Sequence, residues 1–68
     1  MTSQEFIRRA RAYARRTGQR FRFDPKHGKG SHGRIYVGSR FATLPRGELK
    51  KGVLAAMLHQ LDIDRGEF

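Results

Sequence analysis

The run Lys29-Gly30-Ser31-His32-Gly33-Arg34-Ile35-Tyr36 brings an imidazole, a hydroxyl and two cations close together in the chain. These groups suit the cleavage of an RNA strand. A general base removes the proton of a 2′-hydroxyl, and that oxygen attacks the adjacent phosphorus. Cations stabilise the charge that builds on the non-bridging oxygens. A general acid then protonates the departing 5′-oxygen. Histidine as a residue type titrates near neutrality and can serve either transfer. The nucleophile belongs to the substrate, so the scheme calls for no metal and no cofactor. The plainer alternative makes His32 an ordinary loop histidine beside glycine. Ser31 has two roles open to it: orienting His32 or holding phosphate, or bonding its own backbone as a turn hydroxyl. His27 is either a second imidazole for the acid role or a solvated loop residue. Two tempting motifs fail. Gly28-Lys29-Gly30-Ser31 lacks the spacing of a P-loop. Asp24, His27 and His32 lack the spacing that would fix metal-ligand geometry.

The elements that must position these groups follow from periodicity. Thr2 and Glu5 have capping-box spacing. Phe6, Ala10, Tyr13 and Ala14 recur at helical intervals, and Gly18 stands where a helix stops in the left-handed region. The spacing predicts a helix over 3–17, with Arg8, Arg11 and Arg15 on its outer side. That face is either solvated or a dock for RNA, the ribosome or an acidic protein. Arg20 to Phe23 alternates as a half-buried strand. Asp24-Pro25 ends it, and a basic, glycine-rich loop is expected from Lys26 to Gly33. Ile35, Tyr36 and Val37 resume β character. Gly38-Ser39 suits a type II′ hairpin turn, and Arg40 to Leu44 runs back until Pro45 stops it. Leu49, Val53, Leu54, Met57, Leu58 and Leu61 mark a second amphipathic helix over about 50–61, with His59 on its surface.

The resulting order is α-β-β-β-α. A three-stranded antiparallel sheet with both helices on one face is the two-layer solution, an α+β fold. Alternation places Ile35, Val37, Ala42 and Leu44 on the helix side. Arg34, Tyr36, Phe41 and Thr43 fall on the open side, joined by His32 and, from the first strand, by Arg20 and Arg22. A bulge near Gly33 would overturn that count. Tyr36 and Phe41 either stack bases or form a cross-strand aromatic pair.

Composition sets the outer bounds. Sixty-eight residues make one domain, 1–68, with a thin core. The absence of cysteine excludes disulfides, thiolate nucleophiles and cysteine zinc sites. No apolar run approaches the ~18 residues of a membrane span. The formal charge is +9, and eleven of the fifteen cations are Arg, whose fork fits phosphate in a bidentate manner. Seven aromatics and clear periodicity argue for a folded domain facing nucleic acid rather than a disordered basic chain. Met1 to Arg22 has the Arg-rich, acid-poor character of a transit peptide, but it carries helix punctuation and the remainder is too short to fold. An intact, cytoplasmic protein is therefore expected.

The segment Gly30 to Tyr36, set in this frame, resembles the HicA family of toxin-antitoxin mRNA interferases. The resemblance covers most of the chain: the helix ending near Gly18, the strand after it, Gly30-Ser31-His32, the hairpin, Leu44-Pro45, Glu48-Leu49-Lys50-Lys51-Gly52, the second helix and Leu61-Asp62-Ile63. It implies a fold like that of double-stranded-RNA-binding domains and a catalytic His32. It implies an endoribonuclease that cuts mRNA and arrests growth, neutralised by a HicB-type antitoxin that covers the site. The chain departs from the family at Gly33, where a bulky residue or second histidine is frequent, in its Arg-rich first helix, and at His27. The expected RNA-binding residues are Lys29, Ser31, Arg34, Tyr36, Arg22, Lys50 and Lys51. The two lysines start a helix whose dipole already favours phosphate, as similarly placed lysines do in double-stranded-RNA-binding domains. The competing function is a non-catalytic module that binds structured RNA, for which an imidazole at 32 has no use.

Overall fold

A computed structural model of the chain describes residues 1–26 and 32–68. The elements are α1 (Ser3–Arg16), β1 (Phe21–Asp24), β2 (Gly33–Val37), β3 (Arg40–Leu44), α2 (Lys51–Gln60) and a 3-10 turn, Arg65–Glu67. The strands form one antiparallel sheet in the order β1-β2-β3. The expected α-β-β-β-α fold is thus the observed one.

α1 starts at Thr2, whose hydroxyl accepts from the Glu5 N–H at 3.2 Å. Only that half of the capping box forms. The Glu5 carboxylate pairs instead with Arg9, one turn on, at 3.2 Å. At the far end the Gly18 N–H reaches the Arg15 carbonyl (3.3 Å) and the Gln19 N–H reaches that of Ala14 (2.8 Å). With Gly18 at φ +68°, this is a Schellman stop. α2 ends the same way, but with Asp62 at φ +55° in the glycine position. The Ile63 N–H bonds the Leu58 carbonyl at 2.9 Å, and both side chains are buried.

The hairpin turns at Gly38-Ser39, with Val37 opposite Arg40. Gly38 has φ +62° and Ser39 does not share the positive φ, as a type II′ turn requires. The strands differ from expectation by one or two residues. β1 begins at Phe21 because that residue meets Val37, the last of β2; Arg20 only receives the Gly38 N–H on its carbonyl. β2 begins at Gly33, since Gly33 and Arg34 pair with Leu44 and Thr43 without a bulge.

One core joins Phe6, Ala10, Tyr13 and Ala14 of α1 to Ile35, Val37, Ala42 and Leu44 of the sheet and to Leu49, Met57, Leu58, Leu61 and Ile63 around α2. Both helices thus cover the same sheet face. Phe6 and Ile35 are fully excluded from water, a gain of about 1.5–3 kcal/mol for each such side chain. Val53 is the exception in the α2 stripe: it lies at the stripe's margin and is 37% exposed. The 3-10 turn had no sequence signal. Asp64 caps it by accepting from the Gly66 N–H at 2.9 Å, and Phe68 then stacks on Phe6 with ring centroids 4.8 Å apart. No helix among the described residues is long and apolar enough to cross a membrane.

Candidate nucleic-acid interface

The open sheet face follows from the register. Arg22, Tyr36 and Phe41 form one row across the three strands. The Arg22 guanidinium carbon lies 5.2 Å from the centre of the Tyr36 ring. Tyr36 and Phe41 are 6.0 Å apart and tilted by 45°. Arg34, on the next row, places its guanidinium 4.3 Å above Phe41. Cations and rings therefore alternate as Arg22, Tyr36, Phe41, Arg34. Phe41 is 49% exposed, the most open large apolar side chain described. Each guanidinium is preorganised by its ring while its fork stays available to phosphate. Thr43 faces Arg34 from β3 and Asp24 faces it from β1. Asp24 puts a carboxylate at the rim of this cationic face, and it also accepts the Lys26 N–H at 3.1 Å.

His32 is exposed and directly precedes β2. Continued alternation gives it the side of Arg34 and Tyr36, at the end of the sheet where β1 gives way to Pro25 and β3 to Pro45. It has no hydrogen-bonding partner among the described residues. Gly33, next to it, is buried and tightly enclosed. A Cβ there would lie 2.8 Å from the Asp24 carbonyl oxygen and 3.0 Å from the Phe23 ring. β1 passes so close that a side chain at 33 would force it to shift.

Arg22, Arg34 and Tyr36 are thus brought together, and His32 directly precedes the strand that carries two of them. Lys50 and Lys51 are not part of that cluster. Lys50 is the N-cap residue of α2, without a side-chain cap bond, and both lysines are exposed in the helical layer across the sheet. Lys29, Ser31 and His27 lie outside the described residues. Among the described residues no three histidine, aspartate or glutamate side chains gather as a metal site needs. His59 is exposed on α2, as its spacing predicts.

Sequence reasoning missed a cleft at the end of the sheet. The start of α1 is tied to the segment after β3: the Ser3 N–H bonds the Gly47 carbonyl and the Leu49 N–H bonds that of Met1, each at 2.8 Å. A cleft of 590 Å³ lies between them, with Gly33 in its lining. No local signal could reveal it, because its walls come from α1, the end of β1, the start of β2 and the segment after β3. No family model, curated protein or solved structure matches this chain.

Proposed function

We propose that this chain is a HicA-like toxin, an endoribonuclease that cuts mRNA in the cytoplasm and stops growth. The observation that carries this reading is an exposed imidazole, without a hydrogen-bonding partner among the described residues, directly before the central strand of an arginine-aromatic face. RNA laid on that face would stack bases on Tyr36 and Phe41 and present phosphates to Arg22 and Arg34. His32 would take the 2′-hydroxyl proton as the oxygen attacks phosphorus, leaving a 2′,3′-cyclic phosphate. A water or a second side chain would give a proton to the 5′-oxygen. Lys29 and Ser31 precede His32 in the chain and complete the proposed phosphate contacts. Lys50 and Lys51 would reach phosphates on the other side of the molecule.

The test is induced expression of the chain beside His32→Ala, with RNA cleavage assayed in EDTA. The expected outcome is arrest and cleavage by the wild type. Cleavage should fall about 10²–10⁴-fold in the variant, with an unchanged melting temperature. If the variant cuts as well as the wild type, His32 has no part in the chemistry. If neither protein cuts and both bind folded RNA equally, the chain is a binding module.

The proposed partner is an acidic antitoxin of the HicB type. A +9 chain recruits such a partner by electrostatic steering, so association should be fastest at low ionic strength. Stopped-flow on-rates that stay flat with salt would remove charge from the account of that complex.

A further inference from the structure

The cleft lined by Gly33 has a chemistry of its own. Ile7, Phe23, Leu44 and Pro45 supply apolar walls, while Gln4 and Arg46 supply polar groups. Gly33 and Leu44, paired at the end of the sheet, both line it, and Gly33 directly follows His32 in the chain. We propose that this cleft seats a single nucleobase, that of a nucleotide flanking the cut phosphate. The word "cut" rests on the endoribonuclease reading; the base site does not.

Three features select a base over other occupants. The walls are apolar and include a ring, which suits a flat heterocycle. The Gln4 carboxamide both donates and accepts, so it can match the mixed edge of a base, which a hydrocarbon ligand would leave unsatisfied. Arg46 lines the cleft and the chain as a whole carries a formal charge of +9, which favours an occupant carried on a phosphate chain. The volume of 590 Å³ lies within the usual roughly 300–1,000 Å³ of small-molecule sites. The shape is also preformed. Backbone bonds from Ser3 to Gly47 and from Leu49 to Met1 hold the two walls together. The absent Cβ at Gly33 lets the Phe23 ring pack directly on β2.

The experiment has two arms. In the first, the ¹⁵N-labelled chain is titrated with each of the four nucleoside 3′-monophosphates. One of them should shift the amides of Ser3, Ile7, Gly33 and Leu44, and Gln4→Leu should abolish those shifts. Gln4 is exposed in the first turn of α1, so the variant should fold. Shifts confined to Arg22, Tyr36 and Phe41, or none at all, would overturn the base site. In the second arm, wild type and variant cut a set of RNAs that differ at the nucleotides flanking the scissile bond. The wild type should prefer the base found in the first arm by about tenfold, and Gln4→Leu should lose most of that preference. An unchanged preference in the variant would overturn the proposal. Cleft shifts without any cleavage would uphold the base site and refute the nuclease. Cleavage without cleft shifts would do the reverse.

Discussion

The two faces of the sheet share the same three strands and have opposite fates. On one, Ile35, Val37, Ala42 and Leu44 are almost wholly withdrawn from water beneath both helices. On the other, Arg22, Arg34, Tyr36 and Phe41 stack on each other with no layer above them among the described residues. The backbone treats both alike, so the difference lies in side-chain chemistry alone. A small domain that spends one sheet face on its core has the second left for a ligand. The alternation of strands keeps the two sets from mixing.

Substitutions can break or sharpen this contrast. The largest effect is expected from Ile35→Ala on the buried face. Losing a fully enclosed side chain should cost about 2–5 kcal/mol, enough to unfold much of a domain this small. Urea unfolding measures it, and a cost under about 1 kcal/mol would mean that the face is not a tight core. Gly33→Ala comes next, at the boundary between core and His32. The methyl group would meet the Asp24 carbonyl, so β1 must shift, at about 1–3 kcal/mol. A melting temperature equal to that of the wild type would show that β1 gives way freely. On the open face, Tyr36→Ala should weaken single-stranded RNA binding by about 1–3 kcal/mol. Its cost to stability should be about 1 kcal/mol, from the lost contact with Phe41. A fall in stability as large as that of Ile35→Ala, with RNA affinity unchanged, would make the open face structural and not a binding surface.

Much of the fold was readable because its signals are local. Gly18 ends α1 and Gly38 makes the turn for one reason: each backbone position needs a positive φ. Thr2 caps α1 through a hydroxyl three residues away. Glu5 shows the limit, because its carboxylate had two partners within reach and Arg9 prevailed. Asp62 shows another: an αL position held by a non-glycine residue leaves no mark in the sequence. For the candidate site, the alternation assigned Arg22, Arg34 and Tyr36 to one face correctly. The helix assignment likewise put Lys50 and Lys51 at the start of α2, in the layer across the sheet.

Residue order and pattern alone determined the five main elements, their sequence along the chain and the face on which each strand residue falls. Helical and strand periodicities are properties of a few neighbouring residues, so no tertiary knowledge is needed to see them. Only the tertiary structure decided that Phe68 returns to Phe6, that β1 leaves no room at Gly33, and that Thr2 pairs with Glu48 near a cleft lined by Gly33. Each joins residues distant along the chain, and packing of the shared core, not local propensity, brings them together.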